Sequence, residues 1–213
     1  MVFKCNLKQQ LSVSGNKLFW HHVLHSNYEL WYTAACLFSE EEIQLKLNEL
    51  TYSEKLNLGP SYSFLLWDKQ KNKYHVQVDE FASCPLFYLY SEGDFYVADL
   101  FKELVDVFPS TLTMNAVFIQ DYLQAFSSTK QIHTQTVYIE IQRVLPQHYV
   151  FFCLKNGLSS VHYLKNWLPR DCNKQSEEII RDTRALFTSS IHLVAASHKQ
   201  VAANLSGGLD SSS

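Results

Sequence analysis

The stretch Leu205-Ser206-Gly207-Gly208-Leu209-Asp210-Ser211-Ser212-Ser213 constrains this chain more than any other. Residues 201–205 read as a short apolar strand. Two glycines, two hydroxyls and a carboxylate follow it. Paired glycines after a strand let consecutive backbone N–H groups turn inward and close on an anion. A helix beginning there would add the positive end of its dipole. Such a loop suits phosphates. A strand followed by Gly-Gly-x-Asp is also ordinary hairpin chemistry, so its meaning depends on what precedes it. The sequence stops where the helix would begin, and the expectation is a pyrophosphate cradle without its further partners.

The upstream residues supply ample core. The chain has 213 residues, 46% of them hydrophobic, with 14 Phe, 12 Tyr and 4 Trp, enough for one globular domain and an attached piece. The formal net charge of −3 gives no broad footprint for nucleic acid or an anionic membrane. Met1-Val2-Phe3-Lys4-Cys5-Asn6 lacks the apolar core of a signal peptide. No apolar run approaches the ~18 residues of a membrane span. Cys5, Cys36, Cys84, Cys153 and Cys172 are odd in number, widely spaced and without metal-ligand spacing. Unpaired thiols in a cytoplasmic protein are the simplest account.

Local signals place most elements beyond residue 38. Ser39 and Glu42 form a capping box opening a helix whose Ile43, Leu47 and Leu50 share one face. Residues 62–67 and 74–79 read as strands joined by a polar turn that carries Lys69, Lys71 and Lys73. A solvated hairpin tip is favoured over a phosphate grip for those lysines. Residues 86–90 and 95–98 make a second pair, with Phe87, Tyr88, Tyr90, Phe95 and Tyr96 as cross-strand packing. Asp99 is the expected cap of a helix that stops near Pro109, and Asn115 the cap of the next. Residues 137–144 and 148–154 read as strands. Residues 169–175 read as a linker, and Ser176 caps a long helix with Glu177 and Glu178 in its first turn. His21 and His25 would have zinc-binding spacing on a helix, but no Glu completes the pattern, and a half-buried surface group with His22 is favoured. The first 38 residues carry no clear pattern.

Several segments together carry a family resemblance. Tyr62-Ser63-Phe64-Leu65-Leu66-Trp67-Asp68 resembles the Gly-x-Phe-Ala-Phe-Ala-Leu-Trp-Asp strand of asparagine synthetases. Asp79-Glu80-Phe81-Ala82-Ser83-Cys84-Pro85-Leu86-Phe87-Tyr88 is similar to their Arg-Asp-x-Phe-Gly-x-x-Pro-Leu-Tyr-Tyr segment. Phe95 to Asp99 stand where that family has Phe-Ala-Ser-Glu, and Val144-Leu145-Pro146-Gln147-His148 where it has Leu-Pro-Pro-Gly-His. The terminal glycine loop looks like its pyrophosphate loop. The resemblance covers most of the chain beyond about residue 39.

It implies an α+β fold: a four-layer α-β-β-α sandwich of the N-terminal-nucleophile-hydrolase kind, followed by the first helix and strand of an α/β pyrophosphate-loop domain. The implied boundaries are 1–168 for a glutamine amidotransferase-like domain, 169–175 for a linker, and 176–213 for the start of an ATP-binding domain. By resemblance, Leu205, Ser206, Gly207, Gly208, Leu209, Asp210 and Ser211 bind ATP through its pyrophosphate, and Asp210 holds Mg²⁺, a hard ion suited to carboxylate and phosphate oxygens. Glu40 stands near the glutamine-binding Asp of the family, with a helix-capping role as its plainer reading.

The departures bear on chemistry. A glutaminase of this class uses Cys at position 2, whose thiol attacks glutamine while its own amine serves as base. Here the nucleophile position holds Val2, leaving no catalytic residue, and Cys5 would not become terminal on removal of Met1. The glutamine-holding segments are absent, and Ser83 and Cys84 stand where a glycine is expected. The expectation is therefore the front part of an ATP-dependent carbon–nitrogen ligase, without glutaminase activity and inactive as this chain alone. Lasso-peptide cyclases and β-lactam synthetases resemble it in lacking the nucleophile. A truncated, non-catalytic binding or scaffold domain is the alternative, and a hydrolase that gains Cys5 by unusual processing is a third. The acyl partner, a small molecule or peptide, would be bound beyond residue 213, and a homodimer is left open.

Overall fold

The computed structural model describes residues 1–5, 11–14, 20–34, 38–53, 56–59, 61–124, 134–146, 148–153, 158–163, 174–196 and 200–201. The chain divides into two units. The first comprises Met1–Ala34 and Phe38–Trp167, and the second contains Leu168–Ser213.

The first unit is built on two antiparallel sheets. One has five strands: β1 (Val2–Cys5), β2 (Leu11–Ser14), β7 (Phe87–Ser91), β8 (Asp94–Ala98) and β9 (Gln142–Arg143), in the order β2-β1-β8-β7-β9. The other has six: β3 (His21–Leu24), β4 (Tyr28–Ala34), β5 (Tyr62–Asp68), β6 (Lys73–Val78), β10 (His148–Cys153) and β11 (Leu158–Tyr163), in the order β11-β10-β6-β5-β4-β3.

Strand alternation sorts side chains into three apolar layers, since successive residues point to opposite faces. Phe3, Cys5, Tyr88, Phe95 and Val97 from the first sheet meet Trp31, Leu65, Tyr74, Val76, Val150 and Phe152 from the second, forming the core between the sheets. Phe95 and Phe152 stack across it with ring centroids 4.8 Å apart. On the outer face of the six-stranded sheet, Leu30, Tyr32, Phe64 and Leu66 pack against Ile43, Leu47 and Leu50 of α1 (Glu40–Ser53). On the outer face of the five-stranded sheet, Val2, Leu89, Tyr96 and Ala98 pack against Leu104, Phe101 and Val105 of α2 (Phe101–Val107). The layer order is α-β-β-α. Central strands buried on both faces explain the nearly continuous apolar run of β5.

The local signals act as expected at several points. The Ser39 amide donates to Glu42 Oε2 at 2.7 Å and the Glu42 amide to Ser39 Oγ at 3.2 Å, a reciprocal capping box. The Phe118 amide donates to Asn115 Oδ1 at 3.1 Å, capping α3 (Ala116–Gln124). Glu92 and Gly93, between the paired Ser91 and Asp94, both have positive φ, as a two-residue hairpin turn of the primed type requires. The aromatic group on β7 and β8 packs across the strands, with Tyr88 and Phe95 rings 5.7 Å apart. The long helix expected from Ser176 is α4 (Ser176–Ala196); its first turn bonds back to the Gln175 carbonyl.

Two expectations are corrected. Asp99 does not cap α2: Leu100 is the N-cap and makes no side-chain cap bond, so the helix forgoes about 1 kcal/mol. The Asp99 carboxylate is engaged elsewhere. Residues 137–144 do not form one strand. Only Gln142–Arg143 pairs in a ladder, because Thr136 Oγ1 donates to the carbonyls of Tyr138 and Ile141 and folds the segment on itself. His21 and His22 lie on β3, a strand, so helical zinc spacing does not arise.

Candidate functional site

The start of β1 is where the resemblance puts glutaminase chemistry. Phe3 and Cys5 project into the inter-sheet core, and Val2, on the opposite face, enters the apolar layer beneath α2. Val2 is buried and offers no nucleophilic atom. Cys5 is fully buried, and burial first, then the Asp94 carboxylate, pushes its thiol well above the usual range. A thiol with so little thiolate is a poor nucleophile. In this fold Cys5 is a core residue.

Around the strand start lie Met1, Trp20, Asp99 and Glu103. The Met1 amine donates to Asp99 Oδ1 at 2.5 Å and to Glu103 Oε2. Trp20 Nε1 donates to the other Asp99 oxygen at 2.8 Å. This is the use of Asp99 that displaces it from capping α2.

The segment after β6 forms a tight loop around Asp79. Its carboxylate is buried and accepts from the amides of Phe81 at 2.8 Å, Ser83 at 3.0 Å and Tyr62 at 3.1 Å. The Ser83 hydroxyl adds a fourth bond at 3.3 Å. These four bonds engage both carboxylate oxygens and tie the loop to the start of β5, so Asp79 shapes the loop. Within it Ala82 has φ of 52°, a left-handed conformation that favours glycine. Ala82 therefore occupies the turn where the family segment carries Gly, a placement more specific than the neighbouring Ser83 and Cys84. Cys84 lies 3.7 Å from Ser61 Oγ. Burial raises its thiol, the Ser61 hydrogen bond opposes this, and the Asp79 and Asp99 carboxylates add to the rise.

Glu40 sits in the exposed first turn of α1 beside Glu41 and Glu42, where acidic groups complement the helix dipole. The histidines near the amino terminus are held by neighbours: His22 pairs with Glu29 at 2.9 Å and stacks on Trp31, and His25 Nε2 lies 3.1 Å from Asn48 Oδ1. Among the described residues, no group of three or more His, Cys, Asp or Glu is placed to hold a metal ion. No described helix is long and apolar enough to cross a membrane. Leu205, Ser206, Gly207, Gly208, Leu209, Asp210 and Ser211 lie outside the described residues, as do all but residues 174 and 175 of the linker expected at 169–175.

Sequence reasoning missed two features of this region: the amine site built from Asp99, Glu103 and Trp20, and the role of Asp79. The first has no local signal, because its partners are about a hundred positions apart in sequence. The second was legible in part, since an Asp followed by small polar residues is a common turn signal.

Residues 17–168 match a family described as a glutamine amidotransferase domain. The chain is 26% identical over 158 residues to asparagine synthetase [glutamine-hydrolyzing] 2 of Bacillus subtilis strain 168, spanning 70% of this chain and 21% of that protein's length. A solved glutamine phosphoribosylpyrophosphate amidotransferase from B. subtilis, complexed with ADP and GMP, aligns with 71% of this chain and 32% of its own, at 11% identity and a TM-score of 0.39. A structure of the allosteric regulatory enzyme of purine biosynthesis aligns with the same coverage, identity and TM-score.

Proposed function

Because the chain belongs to the glutamine amidotransferase domain family, we propose that it is the amidotransferase-like part of an asparagine-synthetase-like, ATP-dependent amide ligase, and that its own glutaminase chemistry has been lost. The observation that carries this reading is the start of β1. Val2, which stands where the resemblance puts the nucleophile, is packed under α2, while the nearest thiol along the strand, Cys5, is buried between the sheets. A nucleophile must reach the substrate carbonyl and be activated by a base; neither residue meets both conditions.

In the complete ligase, ATP would activate a carboxylate as an acyl-adenylate, and free ammonia or a substrate amine would displace AMP. The Ser206, Gly207, Gly208 and Ser211 groups would hold the pyrophosphate, with Leu205 and Leu209 beside the nucleotide and Asp210 holding Mg²⁺. Catalysis of that kind is positioning and charge neutralisation. The acyl partner would be a small molecule or a peptide, as in lasso-peptide cyclases and β-lactam synthetases, and the protein would work in the cytoplasm.

The test is glutamate release from glutamine by the purified chain, read with a coupled dehydrogenase. No release above the protein-free blank is expected. Release that disappears in Cys5→Ala would overturn the loss of glutaminase chemistry. In any form that carries the rest of the synthetase domain, Asp210→Ala is expected to abolish ATP–pyrophosphate exchange; unchanged exchange would refute the role given to Asp210.

A further inference from the structure

On the outer face of the five-stranded sheet the chain leaves a groove of about 220 Å³, bounded by α2 and α3. Its floor is the cross-strand pair Phe87–Arg143, whose register puts both side chains on one face. Phe101 of α2 and Phe118 of α3 form two walls, and Gln135, Thr136 and Val137 form the third. The Phe87 and Phe101 rings meet edge to face at 5.4 Å. Phe87, Phe101 and Phe118 are each only half-buried.

Backbone bonds fix the third wall. The Arg143 amide donates to the Thr134 carbonyl at 2.8 Å and the Asn115 amide to the Val137 carbonyl at 2.9 Å. Residues 134–137 are thereby pinned to β9 on one side and to the start of α3 on the other. The buried Thr136 hydroxyl donates to the carbonyls of Tyr138 and Ile141 and holds the turn. The groove is therefore preformed, which lowers the cost of binding.

Size and charge select the ligand. A cavity of about 150 Å³ holds one benzene ring, so this groove suits a single ring with a short polar arm. Three phenylalanine rings offer stacking and edge contacts to it. Among the described residues that line the groove, Arg143 is the sole ionised group, and its planar guanidinium matches a carboxylate. Arg143 also interacts within the chain; a guanidinium carries several donors and can hold both partners. A ligand ammonium would meet no carboxylate among those lining residues.

We propose that this groove is a binding site for a small monocyclic aromatic carboxylate, with the ring held by Phe87, Phe101 and Phe118 and the carboxylate by Arg143. The site lies wholly within the first unit, and it stands apart from the glutaminase and ligase chemistry.

The experiment is isothermal titration of the chain with 3-phenylpropionate. A Kd of about 1 mM or tighter is expected, a modest yield per non-hydrogen atom. 3-Phenylpropan-1-ol keeps the ring and lacks the charge; acetate keeps the charge and lacks the ring. Each should bind at least about tenfold more weakly. L-Phenylalanine, whose ammonium finds no counter-charge, should also bind more weakly. Arg143→Gln and Phe118→Ala should each weaken 3-phenylpropionate at least about fivefold. Val137→Trp, at an exposed rim position, fills the groove and should abolish binding; it keeps the test sharp if either other variant fails to fold, as thermal unfolding would show. No saturable binding at millimolar ligand, the alcohol or phenylalanine binding as well as the acid, or unchanged affinity in folded Arg143→Gln or Val137→Trp would overturn the proposal.

Discussion

Asp79→Asn should destabilise the protein although it exchanges a single heavy atom and leaves the side-chain volume nearly unchanged. The native carboxylate accepts two bonds on each oxygen: the Phe81 amide and Ser83 hydroxyl on Oδ1, the Tyr62 and Ser83 amides on Oδ2. An amide keeps one oxygen and presents an NH2 group on the other side. With the NH2 toward Tyr62 and Ser83, two amide donors lose their acceptor. With the NH2 toward Phe81, one amide donor is orphaned, and the Ser83 hydroxyl can turn to accept. An unsatisfied buried donor costs about 1–3 kcal/mol. The second arrangement is cheaper, and loss of the charge weakens the remaining bonds, so the expected cost is about 2–3 kcal/mol. For a chain of this length that is a fall in Tm of about 5–10 °C. Urea unfolding followed by tryptophan fluorescence gives the free energy, and thermal unfolding the Tm. Asp106→Asn, which removes an exposed i,i+4 pair with Lys102, is the control and should cost no more than about 0.5 kcal/mol. A loss below about 0.5 kcal/mol in Asp79→Asn would refute the claim that this carboxylate organises the loop between β6 and β7.

Other perturbations have equally definite signs. Ala82→Gly should stabilise by about 0.5 kcal/mol, since relief of the left-handed strain of about 1–2 kcal/mol outweighs the entropy that glycine adds to the unfolded chain; urea unfolding checks it, and a net loss would contradict it. Ser39→Ala should cost about 1 kcal/mol by removing half of the capping box, read in the same way. Burial pushes the Tyr88 phenol up to about 12, so the folded state favours its neutral form. Its contribution is present in full below the ordinary tyrosine value near pH 10 and is lost as pH rises from about 10 to 12. Thermal unfolding should therefore fall steeply across that window and less steeply in Tyr88→Phe; equal slopes would contradict it. Tyr74 and Tyr62 are shifted in the same direction, by burial first, and make the residual slope.

What could be read from the sequence was what adjacent residues decide. Ser39 with Glu42, Asn115 before Ala116, and the turns after Asp68 and Ser91 each act within four positions, and each forms as the local chemistry requires. The first 35 residues were opaque because β1 and β4 are buried on both faces, so Leu30, Trp31 and Tyr32 show no polar alternation. The strand Leu158–Tyr163 was missed for a related reason: Leu158 and Val161 are its only aliphatic residues, and its pairing with β10 supplies the order. Asp99 was misassigned because capping is a local rule, while the group that captures its carboxylate lies 98 positions away. At the candidate site, the sequence already placed Val2 rather than a thiol where the resemblance puts the nucleophile. That Val2 faces the helical layer and Cys5 the inter-sheet core depends on strand pairing with β8, which no local pattern encodes.

The most direct measurement of the central claim is the acid-quenched intact mass of the chain in saturating glutamine. Hydrolysis through a thiol passes through a glutamyl thioester on the enzyme. The account predicts one species of unmodified mass at every quench time. A species heavier by one glutamyl group, mapping to Cys5, Cys84 or any other cysteine of the chain, would contradict it.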